Sequence, residues 1–142
     1  MKEITLYRCE ICGNIVCMVE DSGVVPVCCG QEMRHLAAGT ADASREKHVP
    51  VSLRSGSRVQ VTVGETAHPM LPGHHIEWIL MLTDRSVYAR SLNPAGLPEA
   101  VFDLRADEVP LSVYAFCNLH GLWIKNAVSS TEAKNERGKQ YE

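Results

Sequence analysis

The sequence lacks any long run of apolar residues, and none approaches the roughly 20 that a membrane-spanning helix needs. Its first residues, Met-Lys-Glu-Ile, contain no apolar signal core. Basic residues are not in excess either, since 14 lysines and arginines face 17 aspartates and glutamates, giving a formal charge of −3. Proteins that bind nucleic-acid phosphates usually present a basic face. We therefore expect a cytoplasmic protein that binds neither a membrane nor a nucleic acid.

Side chains that can bind metals are abundant, with six cysteines and six histidines in 142 residues. In a reducing cytoplasm, clustered cysteines are more often metal ligands than disulfides. Five of the cysteines lie before residue 30, whereas all six histidines lie after residue 34. This separation predicts two different metal sites in two different parts of the chain.

Residues 1–36 have the pattern of a small cysteine-rich module. It is too short to be held together by core burial alone, because units below about 40 residues usually need a metal or disulfides. The small and polar residues 37–46 predict a linker, and the polar residues 129–142 predict a disordered tail.

Residues 47–128 have the pattern of a β domain. Val59, Val61 and Val63 alternate with polar residues, which predicts a strand with one buried face. Further strand-like runs are separated by turn signals. Short strands at regular spacing predict a β-sandwich. The runs are residues 58–63, 76–83, 87–92, 99–104, 111–116 and 122–128.

Four cysteines of the first module form one candidate site: Cys9 and Cys12, with two residues between them, and the adjacent pair Cys28 and Cys29. Four thiolates favour zinc or iron in a tetrahedral site. Adjacent side chains normally diverge, so the pair can share one metal only where the backbone bends sharply, and we expect a distorted tetrahedron. A disulfide or a thioredoxin-like pair is the alternative, although no βαβ pattern surrounds the motif. Cys17 lies in an apolar run, and we interpret it as a small buried hydrophobe.

A second group of candidate ligands combines several imidazoles with one thiolate. Imidazoles suit iron, zinc or copper, and an added thiolate indicates a redox metal whose electronic properties the sulfur tunes. Cys117 and His120, with two residues between them, are close enough in the sequence to chelate one ion. The candidates are His48, His68, His74, His75, Cys117 and His120.

These motifs resemble those of the desulfoferrodoxins, the two-iron class of superoxide reductase. The resemblance extends from residue 5 to about residue 125 and includes both ligand sets in order. It implies a mainly β protein, in which a desulforedoxin-like module precedes an immunoglobulin-like β-sandwich, and it implies a homodimer. The matching motifs are the four cysteines, Glu46-Lys47-His48-Val49-Pro50, His68-Pro69-Met70 with His74 and Ile76-x-Trp78, and Cys117-Asn118-x-His120-Gly121.

The resemblance also implies two iron ions with separate ligands. The first iron would be bound by Cys9, Cys12, Cys28 and Cys29. The second would have four equatorial imidazoles and one axial thiolate, with His120 binding through Nδ1. These ligands would be His48, His68, His74, His120 and Cys117.

A one-electron reaction at the second iron follows from the same resemblance. Superoxide would bind opposite Cys117, take one electron and, with two protons, leave as hydrogen peroxide. Lys47 would attract the anion and order water for proton delivery. Glu46 would occupy the vacant position in the ferric state. A rubredoxin-like donor would resupply electrons, and the four-cysteine iron is a candidate relay.

Other interpretations stay open at this level. His75 could compete with His74, but adjacent residues of a strand point to opposite faces, which favours His74. Zinc is possible in the four-cysteine site, because these ligands suit both metals. The alternative function is a non-catalytic electron-transfer iron protein with a structural second metal, in which Glu46 and Lys47 beside His48 would have no purpose. A non-haem oxygenase would instead use two histidines and a carboxylate.

Overall fold

A computed structural model describes residues 3–39, 48–126 and 129–130. The chain divides into two compact units, Met1–Ala37 and Ala38–Glu142. Across the described ranges, no helix is both long and apolar enough to cross a membrane.

The first unit contains five short strands. β1, β2 and β5 form an antiparallel sheet in the order β2-β1-β5, and β3 pairs with β4 as a hairpin. Its buried cluster is small and consists of Tyr7, Cys9 and Met33, with four partly buried neighbours. The strands are β1 (Leu6–Arg8), β2 (Ile15–Cys17), β3 (Val27–Cys28), β4 (Gln31–Glu32) and β5 (Arg34–His35).

Cys17 is exposed, so the prediction that it is a small buried hydrophobe is wrong. It ends β2, which among the described strands pairs only with β1 and forms an edge of the sheet. Ile15 and Val16 before it are only half-buried. The unit is too small to cover both faces of its sheet, and an apolar run alone therefore does not bury every residue in it.

The second unit is a β-sandwich of two four-stranded sheets, which confirms the predicted fold class. One sheet has the order β10-β7-β6-β13 and the other the order β12-β11-β8-β9. The pairs are antiparallel except β13 with β6. The strands are β6 (Pro50–Ser55), β7 (Arg58–Val63), β8 (Ile76–Thr83), β9 (Val87–Ser91), β10 (Glu99–Asp103), β11 (Pro110–Cys117), β12 (Gly121–Asn126) and β13 (Ser129–Ser130).

The core of the sandwich lies between the two sheets. Val59, Val61 and Val63 are fully buried, whereas Arg58 and Gln60 are exposed, so the predicted alternation is confirmed. Inward residues of the opposite sheet complete the same cluster. These include Ile79, Met81, Val113, Ala115 and Cys117.

The first two residues of the predicted disordered tail belong to a strand. Ser129 and Ser130 form β13, whose backbone pairs in parallel with Leu53 and Arg54 of β6. Sheet pairing offers these backbone groups hydrogen-bond partners despite their polar side chains. The rest of the predicted tail, residues 131–142, and residues 40–46 of the predicted linker lie outside the described residues.

A buried carboxylate, Glu108, lies at the end of the sandwich where β8 ends and β11 begins, and it is 1% exposed. Its oxygens accept hydrogen bonds from Thr83 Oγ1 at 2.5 Å, from the Tyr88 hydroxyl at 2.8 Å and from the Arg105 backbone N–H at 3.2 Å. Burial raises the pKa of this carboxyl, but the hydrogen bonds outweigh burial and the net shift is downward. Glu108 is therefore ionised in the folded protein at neutral pH.

Replacing Glu108 with glutamine is expected to lower the free energy of unfolding by about 3 kcal/mol at neutral pH, because one acceptor oxygen becomes an NH2 group that faces buried donors. The folded pKa is below the ordinary value of 4.5. The carboxylate's contribution is thus complete above that pH and disappears as the pH falls through the folded pKa. Urea unfolding of the wild type and of Glu108→Gln measures this effect. The difference between their free energies of unfolding should shrink as the pH falls.

The matched control is Asp107→Asn. Asp107 is an exposed carboxylate 2.9 Å from Arg85, and its loss should cost less than about 1 kcal/mol. Equal losses in the two variants would contradict the role assigned to Glu108.

Candidate metal centres

The first candidate centre begins with a tight knuckle after β1. The Cys9 N–H donates to Asn14 O at 2.8 Å, and the Gly13 N–H donates to Cys9 O at 2.9 Å. Gly13 has a φ of 84°, which glycine adopts without steric cost. The knuckle also brings the Cys12 N–H within 3.5 Å of Cys9 Sγ. The first two thiols are therefore placed together by the local backbone.

The second pair of thiols converges because the chain reverses at Cys29. This residue has a φ of 53°, in the left-handed region that residues other than glycine rarely adopt, and Gly30 follows with a φ of 79°. Such a conformation normally costs about 1–2 kcal/mol. It is the sharp bend expected for Cys28 and Cys29 to face one ion.

The distances between the thiols fit a tetrahedral metal site. The Sγ atoms of Cys9, Cys12, Cys28 and Cys29 all lie within 4.8 Å of one another. Cys12 Sγ and Cys28 Sγ are 3.7 Å apart. Two thiolates at tetrahedral corners, each about 2.3 Å from one ion, are about 3.8 Å apart.

The protonation of these thiols is strongly perturbed. The backbone N–H of Cys12 lowers the pKa of Cys9 to about 6, whereas a hydrogen bond with the Cys12 side chain raises the pKa of Cys29 to about 12. Crowded thiols resist losing several protons together unless a cation neutralises the charge. Four thiols packed in this way therefore suit a bound metal ion.

The second candidate centre lies at the end of the sandwich where β8 begins and β11 ends. Each ligand candidate lies at the last residue of a strand or in a loop that adjoins a strand. The candidates are His48 before β6, His68 after β7, His74 before β8, Cys117 at the end of β11 and His120 before β12.

Four imidazoles form a closed ring at this end. Going round it, the ring centroids are 5.0 Å apart for His48 and His68, 4.7 Å for His68 and His74, 5.1 Å for His74 and His120, and 4.8 Å for His120 and His48. Each pair meets edge to face. The ligand atoms of His48, His74, His120 and Cys117 all lie within 4.8 Å of one another. The buried Cys117 Sγ is 3.8 Å from His120 Nδ1.

The nitrogen positions fit a shared metal ion. His48 Nε2 and His120 Nδ1 are 3.0 Å apart. Two nitrogens about 2.1 Å from one ion, and at a right angle, are separated by about 3.0 Å.

His68 is prepared for metal binding by its own hydrogen bond. Its Nδ1–H donates to Pro69 O at 2.8 Å, so the lone pair is on Nε2. That Nε2 is buried and has no hydrogen-bond partner among the described residues. Burial lowers the pKa of His68 to about 4, which keeps the imidazole in the neutral form that binds metals.

Of the two adjacent histidines, the structure places His74 and not His75 in the ring. Leu71 and His74 exchange backbone hydrogen bonds of 2.9 and 3.1 Å. His75 Nδ1–H donates to Leu71 O at 2.9 Å, which directs its imidazole away from the cluster.

The sequence pattern did not indicate a role for Trp123, which stacks on His48 with a centroid distance of 4.9 Å and an interplanar angle of 21°. Gly39 lies against the same indole, where a Cβ atom would come within 2.7 Å of Cζ3. The available signal was a tryptophan three residues beyond His120. Two other predicted site residues, Glu46 and Lys47, lie outside the described residues.

A four-thiolate module and a β-sandwich bearing an imidazole–thiolate centre define a class of non-haem metalloproteins. The desulfoferrodoxin family model matches residues 40–126, and the model of the desulfoferrodoxin N-terminal domain matches residues 1–36. The chain belongs to the desulfoferrodoxin family, as its motifs predicted.

The chain matches similar proteins over most of its length and most of theirs. The chain is 46% identical over 118 residues to a desulfoferrodoxin homolog of Archaeoglobus fulgidus, covering 83% of this chain and 93% of the relative. It is 45% identical over 118 residues to a desulfoferrodoxin of Nitratidesulfovibrio vulgaris, covering 83% and 92%. The crystal structure of the superoxide reductase from Treponema pallidum matches with a TM-score of 0.79 and 33% identity, covering 89% of this chain and all of that one.

Proposed function

We propose that this protein is a superoxide reductase, which converts superoxide, one electron and two protons into hydrogen peroxide. The observation that carries the proposal is the buried sulfur of Cys117 beside a ring of four imidazoles. The similarity to the Treponema pallidum superoxide reductase supports it. The proposed ligands of the reacting metal are His48, His68, His74, His120 and Cys117.

Iron, when bound at this centre, would supply the electron that superoxide takes up. Cys117 would help to hold the iron and would donate electron density to it, which favours release of the product. His48 and His68 are buried, whereas His120 is exposed, so the centre is shielded on one side and open to solvent on another. This arrangement suits a small anion that must reach the metal from water.

Glu46 and Lys47 are proposed to act at the open position. The lysine would attract the anion and order water for proton delivery, and the glutamate would occupy the position after peroxide leaves. Their place immediately before His48 in the sequence supports these roles.

The remaining parts of the proposal concern metal identity and partners. We propose iron in the four-cysteine site, with zinc as the alternative that the same ligands accept. A rubredoxin-like protein would return electrons, and the four-cysteine iron could relay them. We further propose a cytoplasmic homodimer.

An iron count with an optical spectrum, followed by mixing of the reduced protein with superoxide, tests the function. Two irons per chain and one peroxide per oxidised second iron, without dioxygen, are expected. A protein that transfers electrons but whose second metal is structural would bind metal and give no peroxide, and that result would overturn the proposal.

Replacing Lys47 with alanine is expected to slow the reaction with superoxide about tenfold at low ionic strength, because one attracting charge is lost beside the metal. The difference should shrink as salt is added, since salt screens exposed charges. Pulse radiolysis or stopped-flow mixing at several salt concentrations measures both effects. Lys125→Ala, which removes an exposed lysine from β12, is the matched control. A rate for Lys47→Ala that equals this control at every salt concentration would exclude steering by Lys47.

A further inference from the structure

Asn118 lies between Cys117 and His120 in the sequence and is hydrogen-bonded to the neighbouring loop that carries His74. Its Oδ1 accepts from the backbone N–H of His75 at 2.8 Å. Its Nδ2–H donates to Gly73 O at 3.1 Å. Its own backbone N–H donates to His75 O at 3.1 Å. Both backbone polar groups of His75 are therefore held by one asparagine.

These bonds lie at the backbone of two adjacent residues whose imidazoles point in different directions. On an extended chain, neighbouring side chains point to opposite faces, and a slip of one residue exchanges those faces. With the N–H and C=O of His75 fixed, His74 faces the ring, where its centroid is 4.7 Å from His68 and 5.1 Å from His120. His75 faces the other way and binds Leu71 O.

Ligand chemistry alone does not distinguish His74 from His75, because both offer an imidazole and they are adjacent in the chain. A specific metal site needs contacts that keep the wrong ligand away from the metal as well as contacts that hold the right ligand near it. The contacts of Asn118 fix the backbone of the residue that must stay out. They also join the loop of His74 to the loop of Cys117 and His120. The two loops are therefore held in a fixed position relative to each other.

We propose that Asn118 is a positioning residue that selects His74, and excludes His75, as the metal ligand. This inference rests on the proposed ligand set of the second centre. Removal of the side chain would let the 73–75 backbone turn and give two populations of site, one bound through each histidine. Hydrogen bonds that orient ligands typically change metal affinity by about 10–100-fold when they are lost.

The test uses the full-length protein loaded with ferrous iron and then oxidised. Four variants are compared with the wild type: Asn118→Ala, Asn118→Asp, His75→Ala and the double variant Asn118→Ala with His75→Ala. Electron paramagnetic resonance of the ferric second site reports its ligand geometry, and competition with a chelator reports iron affinity.

Wild type and His75→Ala are expected to give one ferric signal from the second site, beside the separate signal of a ferric four-cysteine site. Asn118→Ala should give two signals and about tenfold weaker iron binding. The double variant should return to one signal, because only His74 can then bind. Asn118→Asp keeps an oxygen that accepts from the His75 N–H, so it should keep one signal. If Asn118→Ala does not fold, Asn118→Leu, which preserves the side-chain shape without the hydrogen bonds, should show the same two signals.

Several outcomes would overturn the proposal. One signal with wild-type affinity in Asn118→Ala or Asn118→Leu would mean that the asparagine does not select the ligand, as would two signals in Asn118→Asp. Persistence of both signals in the double variant would show that they do not arise from His75. Loss of iron in His75→Ala would overturn the ligand set itself. A wild-type protein that holds iron but makes no peroxide would refute the proposed function and leave the role of Asn118 measurable.

Discussion

Replacing Cys117 with serine is expected to abolish the visible absorption that arises from charge transfer between the thiolate and ferric iron. It should also slow superoxide reduction about a hundredfold, a loss of about 2.7 kcal/mol in transition-state stabilisation. The reason is that a serine hydroxyl stays protonated at neutral pH and donates far less electron density to the metal. Optical spectra of the oxidised protein and stopped-flow mixing with superoxide measure the two effects.

Cys17 is exposed and belongs to neither ligand cluster, which makes it a matched control for Cys117. Cys17→Ser should leave the spectrum and the rate unchanged, so it controls for general effects of removing a thiol. An unaltered spectrum in Cys117→Ser would show that the buried thiolate does not bind the iron.

Replacing Cys29 with serine should remove the metal from the four-cysteine site and unfold the first unit. The buried cluster beside the cysteines has only three residues, and the backbone bends into the left-handed region at Cys29 itself. Metal binding at such sites typically contributes about 10–16 kcal/mol of apparent free energy, which is most of what holds a small domain together. Metal analysis and amide hydrogen exchange of residues 3–37 measure the loss.

The second centre should remain reactive in Cys29→Ser, because all of its proposed ligands belong to the second unit. Peroxide formation in a single turnover from the pre-reduced variant is the readout. If the iron of both centres is lost together, the two units do not load independently, and the assignment of separate ligand sets is wrong.

The two ligand clusters could be predicted because metal ligands leave a signal in residue type and spacing. Cys9 and Cys12 are brought together by a local turn, and Cys117 and His120 by another, so short spacing is enough to pair them. The strands of the sandwich could also be predicted from the sequence. The alternation at Val59, Val61 and Val63 follows directly from burying one face of a strand.

The residues that support the clusters were harder to predict, because their contacts depend on which loops meet at the end of the sandwich. Asn118 bonds to a residue 43 positions away, and Trp123 packs against both Gly39 and His48. The exposure of Cys17 likewise depends on how many layers cover a sheet, which a run of apolar residues does not reveal.

The second centre also draws its ligands from both sheets. His48 and His68 adjoin the sheet of β6 and β7, whereas His74, Cys117 and His120 adjoin the sheet of β8, β11 and β12. His48 and His120 are 72 positions apart in the sequence. An ion bound to all five would therefore join the sheets as a cross-link and stabilise the sandwich by about 2.7 kcal/mol when free iron is a hundred times its dissociation constant. Iron starvation would then lower the amount of intact protein in the cell, because a less stable sandwich is degraded sooner.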